Sequence, residues 1–291
     1  MSRSKPFPAA VRGGENRAAA YTAGMRFLDT RRAAALAGAL LVMAVALARP
    51  ARAEEVIAFY RATWAGLPAA EMRLAFGGGG TGYRDEIHIE TKGLARLFTK
   101  FRGGAVAEGR LGDDGLAAPS RYDALYDLRK RHGSRISMRF VGHHGAVVAE
   151  RTAADTSHKP PIDETYRRDV TDPLSALASI RHVLKVKPPK PGSQFKVPVY
   201  DGSRRFDIAV RVVAVGGEDN LVQLKLTLVP IAGFKGGSSD DGDPDDAPRP
   251  VDITFTNDAA LVPMWIRVSI AYLPLVIRFQ HRCETFAGCA P

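Results

Sequence analysis

The chain has 291 residues, of which 45% are hydrophobic, and carries 41 Lys and Arg against 31 Asp and Glu for a net charge of +10. The excess is concentrated at the start: residues 1–53 hold nine basic side chains against Glu15 and Asp29, which leaves residues 54–291 at +3. Those 238 residues can bury one large core or two modest ones. Their near-neutral balance excludes the concentrated basic face that a nucleic-acid binder needs.

Arg31-Arg32 precede an apolar run from Ala33 to Ala48, and Ala51-Arg52-Ala53 follow it. A basic start, an apolar centre and a small-x-small site are the pattern of a secretory signal peptide, so cleavage is expected after Ala53. The run is shorter than the ~20 residues a spanning helix needs, and no integral membrane span is expected once it is removed. Met25 would start a leader of ordinary length and is read as the true start, with residues 1–24 as an upstream extension. Ala33-Ala34-Ala35 after the arginine pair favour general secretion over the twin-arginine route. The expected location is the periplasm.

From Val56 onward the chain reads as β-structure. Val56–Thr63 and Glu71–Phe76 flank a Gly66-Leu67-Pro68 turn, and Tyr83–Thr91 places Ile87 and Ile89 on one face. Two more runs flank Gly112-Asp113-Asp114-Gly115, and Ser134–Phe140 leads into Gly142-His143-His144-Gly145. Strands of this length between Gly-rich turns predict an antiparallel sheet or barrel. Ala153–Thr171 is polar and reads as a linker. Asp172 then stands as a cap before Pro173, which suits a first helical position. Leu174, Leu177, Ile180, Arg181 and Leu184 recur at helical spacing, so Pro173–Leu184 is predicted as a helix lying on the sheet. After the proline-rich link Lys185–Gly192, Lys196–Tyr200 and Arg205–Val213 form a hairpin through Asp201-Gly202. Leu221–Pro230 pairs with Val251–Asn257 across a polar insertion, and Trp265–Ala271 with Leu275–His281 through Tyr272-Leu273-Pro274.

Residues that could carry chemistry are few. Cys283 and Cys289 are the two cysteines, and an even count in an exported chain points to a disulfide that pins the C-terminal tail. A metal site with His281 is the alternative. Asp241, Asp243, Asp245 and Asp252 fall at positions one, three, five and twelve of a calcium-loop template. Asp246 replaces the glycine that the template needs for its turn, so a solvated acidic loop is the competing reading. His143-His144 are adjacent and would point to opposite faces of a strand. His88 reads as solvent-facing, and Trp64 and Trp265 as core or cavity residues. Asp123, Asp127, Asp169 and Asp172 show no catalytic pairing. Nucleophile, phosphate-loop and dinucleotide motifs are absent; no catalytic residue and no cofactor is assigned.

Tyr60…Gly66-Leu67, Gly115-Leu116…Pro119-Ser120-Arg121-Tyr122, Asp172-Pro173-Leu174-Ser175-Ala176-Leu177…Arg181, Val199-Tyr200-Asp201-Gly202…Arg205-Phe206 and Val262-Pro263-Met264-Trp265 occur in this order. Together they resemble a family of exported proteobacterial proteins known as a domain of unknown function, DUF3108, from about Val56 to Phe279. The acidic insertion Gly236–Arg249 departs from that pattern. The resemblance implies a periplasmic, β-rich protein without an assigned activity, and supplies no site residues.

The expected fold is all-β and mainly antiparallel: a curved sheet forming an open barrel or spiral, with one helix, about 173–184, packed on it. Residues 1–53 are the extension and leader, and 54–291 one domain made of an N-terminal half 54–152, a linker and helix 153–192, and a C-terminal half 193–291. The expected function is a non-enzymatic envelope protein, binding a lipid or other apolar ligand in the concavity of the sheet. An envelope-integrity scaffold for protein or peptidoglycan partners is the alternative, and a cell-wall or polysaccharide-acting enzyme is the third reading.

Overall fold

The computed structural model describes residues 55–77, 81–98, 100–113, 115–128, 131–141, 146–151, 162–234, 247–270 and 272–290. The leader and cleavage site expected from the sequence lie outside them. The N-terminal strands are β1 (Val56–Trp64), β2 (Leu67–Gly77), β3 (Gly82–Thr91), β4 (Arg102–Leu111), β5 (Ala117–Leu128), β6 (Arg131–Val141) and β7 (Ala146–Arg151). A helix α1 (Pro173–Val186) separates them from β8 (Gln194–Tyr200), β9 (Arg205–Gly216), β10 (Leu221–Ala232), β11 (Arg249–Thr256), β12 (Pro263–Ile270) and β13 (Leu273–Cys283). A single helical turn, Ala95–Phe98, joins β3 to β4, and a 3-10 turn, Glu164–Arg167, precedes α1.

Among the described residues the strands form one unclosed antiparallel sheet of two meanders, running β7 to β1 and then β13 to β8. The seam is the β1–β13 pair, where Tyr60 lies opposite Phe279 and Trp64 opposite Leu275. Chain neighbours thus build each wing, and the first and last strands join the wings at the centre.

Alternation decides which side chains face inward. Ala58, Tyr60, Leu74, Phe76, Tyr83, Ala107 and Tyr122 line the concave side of the first wing. Val197, Val199, Val210, Val212, Val222, Leu224, Ile253 and Phe255 line that of the second. Helix α1 lies in this concavity and its two sides serve both wings. Leu174 and Ala178 pack with the first cluster, Ala176, Ile180 and Leu184 with the second, and Leu177 touches both. The interior is therefore filled by a helix rather than hollow along its length. Polar ties fix the contact: Ser179 Oγ accepts from the Ala117 amide at 2.9 Å and donates to the Ser175 carbonyl at 3.0 Å.

The helix begins as the sequence predicts, with Asp172 Oδ1 accepting from the Leu174 and Ser175 amides at 3.0 and 2.8 Å, and runs two residues further, to Val186. Strand β1 differs from a simple alternating strand, because its Val56–Tyr60 run is buried on both faces. Ile57, Phe59 and Ala75 on the convex side are covered by Phe286 and by the Cys283–Cys289 disulfide, whose Cα atoms are 5.2 Å apart. Continuous apolar runs belong to strands covered on both sides.

Three turns differ from the sequence reading. The β1–β2 turn is Ala65-Gly66, with φ of 50° and 83°, so Leu67 and Pro68 already belong to β2. Positive φ at both central positions gives the twist that a two-residue hairpin needs. The β8–β9 connection spans Asp201 to Arg204, because the Asp201 carboxylate accepts from the Ser203 and Arg204 amides and stabilises a longer loop. At the last hairpin Tyr272 carries the positive φ of 64°, while Leu273 and Pro274 are already in β13.

Candidate functional site

Near the C-terminal half of α1 the helix and the sheet leave a cleft of about 660 Å³. Its floor comes from β3 and α1. On β3 the alternation that points Ile87 and Ile89 inward also points Tyr83 and Asp85 inward. On α1, Arg181 falls on the apolar stripe. The mouth is formed by Lys185, by Arg282 of β13 and by the loop containing Asp258 and Ala260.

Asp85 is the unusual group. It is 1% exposed, and neither carboxylate oxygen has a hydrogen-bond partner of normal geometry among the described residues. Burial pushes its pKa up to about 7, while Arg181 and the nearby Gly77 amide pull the other way. Arg181 is 8% exposed. Its Nε donates to the Leu261 carbonyl at 3.2 Å and its Nη2 to that of Ala260 at 2.7 Å. The guanidinium carbon sits 3.8 Å from the Phe76 ring centroid, a cation–π arrangement. Burial brings its pKa down to about 10, against the charges of Asp85 and Tyr60. Asp85 and Arg181 face the same cleft but form no direct ion pair.

A second polar chain runs deeper. Tyr83 Oη donates to Ser175 Oγ at 2.6 Å, and Ser175 Oγ donates to Asp172 Oδ2 at 2.5 Å. Burial raises Asp172 to about 6, and its hydrogen bonds with Ser175 and Leu174 oppose that. Tyr60 Oη, also buried and without a partner among the described residues, has its pKa raised by burial. The remaining polar groups are committed to structure. His182 Nε2 lies 3.1 Å from the Gly112 carbonyl. Asp258 Oδ1 accepts from the Ala260 and Leu261 amides at 2.9 and 3.0 Å and so shapes the loop that holds Arg181. Lys185, exposed at the mouth, makes no hydrogen bond or ion pair with the described residues, and the partial burial of its ammonium lowers its pKa.

The residues singled out from sequence fare differently. Cys283 and Cys289 form the disulfide, and the ring of His281 stacks on Phe59 with centroids 5.3 Å apart. That arrangement replaces the alternative of a metal site at these three residues. Asp241, Asp243 and Asp245 lie outside the described residues, as do His143 and His144. Asp252 is a half-buried β11 residue opposite Lys225.

His88 is partly buried on the convex face rather than free in solvent, and its Nε2 has no partner among the described residues. Asp123 pairs with Arg121 and accepts from Ser137 Oγ at 2.7 Å. Asp127 accepts from the Gly133 amide at 2.7 Å. Trp64 and Trp265 are half-buried and outside the core clusters. The cleft residues Asp85, Tyr83, Lys185, Asp258 and Arg282 carry no motif. The available signal was a charge in an apolar register: Asp85 among Tyr83, Ile87 and Ile89, and Arg181 among Leu177, Ile180 and Leu184.

These features define an open, curled antiparallel β-sheet with an interior helix and one polar-floored cleft between them. The chain belongs to the family described as protein of unknown function (DUF3108), whose model matches residues 60–277. No curated protein matches it. Among solved structures it is similar to a beta-barrel-like protein of domain of unknown function DUF1849 from Brucella abortus. The TM-score is 0.50 at 10% identity, over 79% of this chain and 98% of that one. The likeness extends to the fold alone.

Proposed function

We propose that this is an exported, non-enzymatic envelope protein that holds an amphiphilic, lipid-like ligand in the cleft between α1 and the sheet. The observation that carries the reading is the cleft of about 660 Å³ with Asp85 on its floor. A buried carboxylate without a well-formed hydrogen bond costs stability, and a ligand that donates to it offsets that cost. Val56, Leu111, Ala178 and Val186 supply apolar wall for the rest of such a molecule, and a mostly apolar pocket with a few convergent polar groups is the usual form of a small-molecule site.

A pKa near neutrality would also suit a general acid or base. Binding is favoured because Asp172 is committed to the helix cap, Asp258 to its loop and His182 to Gly112.

The test is native mass spectrometry of the protein recovered after expression of the full chain, with titration by anilinonaphthalene sulfonate and displacement by a lysolipid. Co-purifying lipid mass or displaceable dye is expected. Val186→Trp, at the exposed mouth, should lower dye affinity by about tenfold. Failure of both dye and lipid to bind would overturn the reading, as would binding that Val186→Trp leaves unchanged. Export is tested by the intact mass of the recovered protein, which should begin at Glu54.

A further inference from the structure

The charges around the cleft are unevenly placed. On the floor, Asp85 and Arg181 share the cavity without an ion pair: Arg181 Nε and Nη2 are held by the Leu261 and Ala260 carbonyls, and Nη1 donates to nothing among the described residues. A guanidinium donor and an unpartnered carboxylate acceptor therefore line the same cleft. A hydroxyl suits both, because it can accept from Arg181 and donate to Asp85. An ammonium does not, because it would sit against the buried guanidinium.

At the mouth, Lys185 and Arg282 are exposed cations, and Asp258 is already occupied by its own loop. With Asp85 ionised, Arg181, Lys185 and Arg282 against Asp85 and Asp258 leave the cleft one excess positive charge. A monoanion at the mouth balances it.

We propose that the ligand's polar end is a polyol phosphodiester, with a polyol hydroxyl bridging Asp85 and Arg181 and the phosphate lying between Lys185 and Arg282. This rests on the reading of the cleft as an amphiphile site, and names the head group that site selects. A choline head lacks the donor that Asp85 requires and places a cation beside Arg181. A hydroxyl-free phosphodiester satisfies the mouth but not the floor.

Isothermal titration of the full chain separates these terms. The probes are dihexanoyl phosphatidylglycerol, dihexanoyl phosphatidylethanol, which keeps the phosphodiester without head-group hydroxyls, dihexanoyl phosphatidylcholine, and glycerol 3-phosphate. Phosphatidylglycerol should bind about tenfold tighter than phosphatidylethanol, the scale of a hydrogen bond to charged groups, and tighter again than phosphatidylcholine. Lys185→Met and Arg282→Met, both at exposed positions, should each weaken both anionic lipids by several-fold, and Asp85→Ala should remove the preference for the hydroxylated head. If Asp85→Ala does not fold, the phosphatidylethanol comparison carries the same information.

Equal affinity for phosphatidylglycerol and phosphatidylethanol overturns the hydroxyl bridge. Equal affinity for phosphatidylglycerol and phosphatidylcholine overturns the head-group assignment and leaves the amphiphile site standing. Binding of none of the lipids overturns the amphiphile reading itself. Glycerol 3-phosphate binding as tightly as phosphatidylglycerol overturns the diester and the amphiphile reading together, and makes a free polyol phosphate the ligand.

Discussion

Asp85 gives this protein an inverted pH dependence at one residue. Its pKa moves from an unfolded value near 4 to about 7, chiefly through burial. The folded state therefore holds a proton that the unfolded state has released between these values, and stability falls as pH rises through that window, by at most about 4 kcal/mol. Asp172, raised to about 6, adds a slope of the same sign over a narrower range. Urea unfolding at pH 4.5 and 7.5 should show this decline, and Asp85→Asn should flatten it by removing the titrating group. An unchanged slope in the variant would contradict the assignment. Asp172 also holds the helix start, so Asp172→Ala should cost about 1–2 kcal/mol in the same measurement while Asp172→Asn keeps the cap. The burial of Asp85 was legible in its alternation with Tyr83 and Ile87, and that of Arg181 in its helical stripe. Their meeting was not, because nothing local to β3 records that α1 crosses it.

At the level of elements, local patterns with a physical cause transferred well. Asp172-Pro173 located the start of α1, and every strand anticipated between Val56 and His281 is present with shifted ends. The turns were less legible, since one side chain can change the loop: Asp201 caps two amides and lengthens the connection that Asp201-Gly202 alone would have closed. The double-sided burial of β1 was written in its unbroken Val56–Tyr60 run, but the cover over its convex face comes from a tail more than 200 residues away. Arg73 Nη1 donates to the Phe286 carbonyl, and the disulfide ties Cys289 to the end of β13. Replacing both cysteines by serine should cost about 2 kcal/mol, as expected for a short loop. Hydrogen exchange should then rise over residues 284–290 while the centre of β10 stays protected. Equal protection of the tail in both proteins would show that Phe286 holds it without the disulfide.

For the whole molecule, the decisive contact is the least visible in the sequence. Each wing is a run of neighbours in the chain, but the sheet is continuous only because β1 finds β13, with Thr63 and Val276 separated by 213 residues. Alternation shows that both strands exist and which way they face; it carries no information about which strand pairs with which. A sheet whose seam is this non-local should fold slowly, on the millisecond-to-second scale or slower. Truncation after Tyr272, which deletes β13, should abolish cooperative unfolding of both wings, as followed by far-UV circular dichroism in urea. A cooperative transition surviving in the truncated chain would show that the first wing and α1 stand alone.

The central position of β1 also bears on the order in which the chain can be assembled. Any process that delivers this polypeptide from its N-terminus, a ribosome or a translocation channel, releases the middle strand first and its second neighbour last. Until Leu273–Cys283 emerges, one edge of an apolar strand waits open at the centre of an incomplete sheet. Such edges recruit other strands. Synthesis and folding are therefore separated in time by the topology itself, and the waiting chain is a substrate for whatever holds unfolded polypeptides apart.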